Sequence, residues 1–111
     1  MNNERNLLAS CLRSRDAYAK VVKHLDQDEC TEQARMIFRH ITEYYDADPE
    51  AKACDYDIVA RSIGRSLSNP KHRDTFTHIL EDLKEVEVSP ANVVRDLLGV
   101  KREAAGSKLA S

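Results

Sequence analysis

The chain has no tryptophan, and all its aromatics together make up only 5% of it. That removes the best platform on which unpaired bases stack. Glycine and proline occur three times each, too rarely for the turn-rich connections of an all-β domain. No charge of one sign dominates. The formal net charge is −2, so there is no overall positive field to draw in DNA or RNA. No apolar run reaches the roughly 18 residues of a membrane span, and the polar start Met1-Asn2-Asn3-Glu4-Arg5-Asn6 is not a secretory signal. The three cysteines, Cys11, Cys30 and Cys54, are odd in number and far apart. They read as reduced thiols of a cytoplasmic protein rather than as a disulfide framework.

The residues present favour helices. Charged residues form 32% of the chain and apolar ones 41%, the balance of an ordinary globular domain, and 111 residues suffice for one core. Asn2 or Asn3 is placed to cap a first helix with Leu7, Leu8, Cys11 and Leu12 in one stripe. A second begins near Arg15 and carries Tyr18, Val21, Val22 and Leu25. After the acidic break Asp26-Gln27-Asp28-Glu29, Thr31 caps the most regular stretch, in which Ala34, Ile37, Phe38, Ile41, Tyr44 and Tyr45 recur at helical steps. This helix is expected to organise the core, with Phe38 as a principal contributor. Only one of the adjacent rings Tyr44 and Tyr45 is expected to point fully inward.

Residues 46–52, which include Pro49, read as a loop. Asp55 or Asp57 starts a short helix with Ile58, Val59, Ser62 and Ile63, which Gly64 would normally end, although Leu67 suggests another half turn. Asn69-Pro70 is a strong start signal for the next helix, on which Phe76, Ile79, Leu80, Leu83 and Val86 align. Residues 86–88 could be extended, and Ser89-Pro90 restarts a helix through Val93, Val94, Leu97 and Leu98. The expected fold is therefore all-α, a bundle of about six helices ending in a helical hairpin. Residues 1–98 form the domain, and residues 99–111, which lose the apolar stripe, begin a linker.

Little in this pattern carries chemistry. The glycines at 64, 99 and 106 fit neither the phosphate loop nor the dinucleotide fingerprint. His72 and His78 are six residues apart on a helix and face different sides, and Cys30 and Cys54 have no companion pair, so no metal site is expected. Cys11 lies in an apolar stripe, as a small buried hydrophobe would. The carboxylates Glu81, Asp82, Glu85 and Glu87 read as a solvated face. Basic residues gather at Arg13 and Arg15, at Lys71, His72 and Arg73, and at Lys101 and Arg102. Acidic neighbours interleave with all three groups, and a solvated surface is the expectation. No catalytic, cofactor-binding or metal-binding residue is assigned.

The order of motifs resembles the N-terminal domain of DnaB-family replicative helicases, in particular the divergent forms of tailed bacteriophages. The residues that carry it are Glu4-x-x-Leu7-Leu8-x-x-x-Leu12, Asp16-Ala17-Tyr18-x-x-Val21, Ala34-Arg35-x-Ile37-Phe38-x-x-Ile41, Asp57-x-x-x-Arg61-Ser62-Ile63, Ile79-Leu80-x-x-Leu83, and a last helix running into Lys101-Arg102-Glu103. They span nearly the whole chain. The chain departs from the family where a proline commonly precedes Asp57 and where a glycine-containing connection follows the fourth helix.

The resemblance implies a non-catalytic collar domain of a hexameric helicase in a bacterial or phage-infected cytoplasm. Such a domain would assemble with copies of itself and receive primase or a helicase loader. ATP and magnesium would belong to an absent motor domain, the parent protein being the ATP-dependent enzyme, and DNA would bind this segment only weakly. The interface is expected on the last two stripes: Phe76, Ile79, Leu80, Leu83, Val93, Val94, Leu97 and Leu98. The alternative is a free-standing helical adaptor or inhibitor that binds a host replication protein.

Overall fold

The computed structural model describes residues 3–89 and 91–110, the side chains of Gln27 and of residues 107–110 excepted. They form α1 (Asn3–Arg13), α2 (Arg15–His24), a 3-10 turn (Gln27–Glu29), α3 (Glu32–Ala47), α4 (Tyr56–Ser66), α5 (Pro70–Glu85) and α6 (Asn92–Ala110). The fold is all-α, with no strand among the described residues. Residues 86–88 accordingly join two helices without pairing.

Local chemistry starts most of these helices. Thr31 Oγ1 accepts from the Ala34 N–H at 3.3 Å, and Asn69 Oδ1 from the Lys71 N–H at 2.9 Å with Pro70 at the first helical position. Asp55, rather than Asp57, caps α4, accepting from the Asp57 and Ile58 N–H groups at 2.9 and 3.3 Å. Ser14 caps α2 through Ala17. Each side-chain oxygen satisfies a donor that the first helical turn leaves open. Asn3 opens α1; Asn2 and Pro90, named above as start signals, lie outside the described residues. α4 does not stop at Gly64 but runs on to Ser66 with Leu67 as its C-cap, the extra half turn that Leu67 suggested, and no glycine has a positive φ. Glycine most readily ends a helix by adopting the left-handed conformation, which Gly64 does not.

The organising element is α1 and not α3. Every residue from Leu7 to Leu12 is buried, because α1 touches α2, α3, α5 and α6. Ala9 and Ser10 fill the sides of α1 that the leucines leave, and such small residues let neighbouring helices approach. α3 contributes Ala34, Ile37, Ile41 and Tyr45. Tyr45 is buried and its hydroxyl donates to the Cys11 carbonyl at 2.6 Å, whereas Tyr44 is half-buried. Phe38, one residue round from Ile37, is only half-buried on the flank of α3.

The last two helices do not form a closely packed hairpin. α6 lies chiefly on α1, with smaller contacts to α2 and to the 3-10 turn. Its packing continues past residue 98: Val100 is buried, Lys101 Nζ pairs with Glu29 Oε1 at 2.8 Å, and Asn3 Nδ2 donates to Glu103 Oε1 at 3.0 Å. Gly99 leaves room for the Asn3 side-chain amide, which would have to swing aside for a methyl group at that position. Residues 99–103 are thus fastened to the rest of the fold, and α6 has no break at the expected boundary. The radius of gyration, 13.6 Å, is close to the roughly 13 Å of one compact domain of this length.

Candidate interaction surfaces

Of the eight residues expected at an interface, the structure buries six in the chain's own core: Phe76, Ile79, Leu80, Leu83, Val93 and Leu97. Only Val94 and Leu98 stand outside, 50% and 53% exposed. The reason is helical phase. Val93, Leu97 and Val100 face α1, and one step round the helix places Val94 and Leu98 together on the outer side. Arg95 and Arg102 are exposed on the same helix. The candidate surface contracts to this short apolar stripe with basic neighbours.

The basic residues are used internally to a degree the sequence did not disclose. Arg13, the last residue of α1, donates to the carbonyls of Leu83 and Lys84 at 2.9 Å each, and also to that of Val86. It closes the C-terminal end of α5. Arg15, the first residue of α2, donates to the carbonyls of Asp48, Ala51 and Tyr45 at 2.9, 3.1 and 3.4 Å, and its guanidinium lies 5.2 Å from the Tyr45 ring centre. It closes α3. Arg73 does the same for α4 through the Leu67 and Ser68 carbonyls at 2.9 and 3.3 Å. A helix C-terminus carries unpaired carbonyls and the negative end of the dipole, so a guanidinium suits it on both counts. These cations are committed to holding helices together.

One polar cluster superficially resembles a catalytic triad. His40 is buried on α3, with its Nδ1 2.8 Å from Ser62 Oγ and 3.6 Å from a Glu43 carboxylate oxygen. In a triad the hydroxyl and the carboxylate meet opposite ring nitrogens; here both meet Nδ1. Among the described residues Nε2 has only Ser66 Oγ at 3.4 Å, and that hydroxyl donates to the Ile63 carbonyl at 2.7 Å. The arrangement suits a structural imidazole joining α3 to α4. Burial pulls its pKa below the usual histidine value; Glu43 opposes that shift and Arg39 adds to it.

The thiols are poor nucleophiles. Burial, then the neighbouring thiols, push the Cys11 pKa up. Burial together with the Glu4 and Glu29 carboxylates lifts Cys30 to about 11 against the pull of Arg35. Burial lifts Cys54 to about 11, which the Tyr45 hydroxyl opposes. All three are protonated near neutral pH, and the thiolate is the reactive form. Among the described residues no group of three or more His, Cys, Asp or Glu side chains is placed to hold a metal ion. No helix among them is long and apolar enough to cross a membrane.

What remains on the surface is concave and apolar. Between α2 and α3 lies a groove of about 260 Å³, lined by Tyr18, Val21, Val22, Leu25, Phe38 and Cys30 among others. At one end Tyr18 closes it, its hydroxyl donating to Thr42 Oγ1 at 2.8 Å and its ring lying 4.8 Å from that of Tyr45. The sequence placed Val22 and Phe38 on inward stripes. The structure puts both on the groove walls, Val22 being 52% exposed. Only the phase of each helix against its neighbours could have shown this.

Comparison with known protein families, curated proteins and solved structures yields no match for this chain.

Proposed function

We propose that this chain is a non-catalytic assembly domain that holds other protein chains, and that it serves as the N-terminal domain of a DnaB-family replicative helicase. The observation that carries the reading is the outer face of α6. Val94 and Leu98 lie one turn apart, about half exposed, on a helix whose opposite face is already satisfied by α1. A rigid helix that presents an apolar pair outward is suited to pairing with another copy. The resemblance supports the finer assignment, because most of the apolar residues that carry it are core residues: Leu7, Leu8, Leu12, Val21, Ile37, Ile41, Ile63 and Leu83 are all buried. In this reading the domain assembles the ring and docks primase or a loader during DNA replication in the cytoplasm. Nucleotide and magnesium are bound elsewhere in the protein, and DNA binds here weakly.

A second reading, a free-standing adaptor or inhibitor of a host replication protein, is favoured by the fastening of residues 99–103 to the domain through Lys101–Glu29 and Asn3–Glu103. Sequencing the gene beyond codon 111 separates the two. The helicase reading expects an open frame that reaches G-x-x-x-x-G-K-[ST], encoding a DNA-stimulated ATPase whose ring assembly fails when residues 1–111 are deleted. A stop codon, or a continuation without a motor, overturns it in favour of the adaptor.

A further inference from the structure

We propose that the groove between α2 and α3 is the docking site for an acidic amphipathic helix of a partner protein. The proposal rests on the assembly-domain reading and names the chemistry of one partner.

The floor of the groove is apolar: Val21, Leu25 and Phe38 line it, and Val22 stands up from the α2 wall with half its surface in solvent. The α3 wall carries Arg35 and Arg39, which both line the groove and are both exposed. Their spacing of four residues sets the two side chains on one face, roughly 6 Å apart at Cβ. The other arginines that border helices here, Arg13, Arg15 and Arg73, are spent on carbonyls. The guanidinium groups of Arg35 and Arg39 have no hydrogen-bond or ion-pair partner among the described residues. Among the described residues Asp26 is the one carboxylate lining the groove, just beyond the end of α2. An apolar trough with a pair of unspent guanidiniums along one wall complements a helix that has aliphatic residues at i, i+3 and i+4 and carboxylates one turn apart beside them.

A second copy of this chain is a poorer occupant through its own exposed apolar stripe. Val94 and Leu98 on α6 have Arg95 and Arg102 for neighbours, and these would meet Arg35 and Arg39 as like charges.

The test uses the intact chain and two synthetic peptides of about 16 residues, long enough to be helical when bound. Both carry the same leucine pattern, one with glutamates flanking the leucines and the other with lysines there. Binding is followed by amide chemical-shift changes. The glutamate peptide should bind with shifts confined to residues of α2 and α3 around Val22, Phe38, Arg35 and Arg39, and more weakly as salt rises. The lysine peptide should not bind measurably. The double substitution Arg35→Glu, Arg39→Glu should weaken the acidic peptide on the order of tenfold or more. Val22→Asp, at an exposed site, should abolish binding with the amide spectrum otherwise unchanged.

Equal binding of the two peptides, shifts on another face, or no binding of the glutamate peptide at millimolar concentration would overturn the proposal. So would concentration-dependent shifts at the same residues in the absence of peptide, which would make a second copy the occupant. Failure at this groove with association retained through α6 removes only the acidic-helix proposal. Failure of both surfaces removes the assembly-domain reading as well.

Discussion

Two adjacent residues of α3 show how much a hundred degrees of helical rotation decides. Ile37 is sealed in the core and Phe38 is half-buried on the groove wall. The sequence assigned Phe38 a large role because it is a bulky ring on the most regular apolar stripe. Truncating a buried Ile to Ala costs about 2–5 kcal/mol, and truncating a fully buried Phe about 3–5 kcal/mol. With part of its ring already in water, Phe38→Ala should cost less than Ile41→Ala, roughly 2 kcal/mol or below. Urea midpoints of the two variants check the order; a Phe38→Ala loss greater than that of Ile41→Ala would refute it.

His40 gives the residue scale a pH dependence. Its pKa in the fold lies below the ordinary histidine value, chiefly through burial. The unfolded chain therefore binds the proton more readily, so stability rises with pH across the interval between the folded and unfolded values and is lost as pH falls below about 6.5. His40→Gln keeps a polar side chain for Ser62 but cannot charge. Between pH 7.5 and 5.5 the wild type should lose more unfolding free energy than the variant, as read from denaturant melts. Parallel losses in both proteins would assign the acid sensitivity to other groups.

At the scale of elements, the junction between α1 and α2 does more than turn the chain. Within three residues it places Arg13 on the end of α5, Ser14 as the cap of α2, and Arg15 on the end of α3. Replacing Arg15 by Met keeps the aliphatic stem and removes the donors. It should cost about 1.5–3 kcal/mol, the range for hydrogen bonds involving a charged group. Hydrogen exchange should quicken most over the last turn of α3 and the loop at 48–52. A uniform change across the molecule would mean that Arg15 contributes bulk stability without acting as a local closure.

These contacts also mark where the sequence stops being readable. Helix starts were legible because a cap is chemistry between residues two or three apart: Thr31 with Ala34, Asn69 with Lys71. The number and order of helices followed from that and from apolar spacing. Helix ends closed by Arg13 or Arg15 were not legible, since donor and acceptor lie dozens of residues apart and an arginine amid acidic residues reads as solvated surface. The primacy of α1 was hidden for a related reason. Periodicity reports one apolar face, whereas Ala9 and Ser10, buried on the other faces, carry little hydrophobic signal. The candidate site suffered most. Apolar residues on α5 and α6 were visible, but which of them face inward depends on α1 lying against α6, a contact between opposite ends of the chain.

For the whole molecule the same geometry sets the terms of self-association. The exposed pair on α6 is small, and two side chains half in water cannot supply the interface of roughly 1,000 Å² or more that a stable dimer needs. The isolated chain should therefore be monomeric when dilute and begin to pair at roughly 0.5 mM, as an association with a Kd near 1 mM requires. If motor domains hold copies in a ring, the same contact becomes intramolecular and is strengthened by effective concentration alone, with no new surface needed. Neighbouring residues separate this from a folding effect. Leu98 is exposed and Leu97 is buried, so Leu98→Asp should leave the unfolding free energy from urea melts within about 0.5 kcal/mol of wild type and abolish the concentration-dependent rise in sedimentation. Leu97→Asp should unfold the chain or cost several kcal/mol, because it places a carboxylate against α1. A wild-type protein strictly monomeric at the highest concentration would sink pairing through α6. A Leu98→Asp variant that still associates would move the contact to another face, and the α2–α3 groove would then be the first place to look.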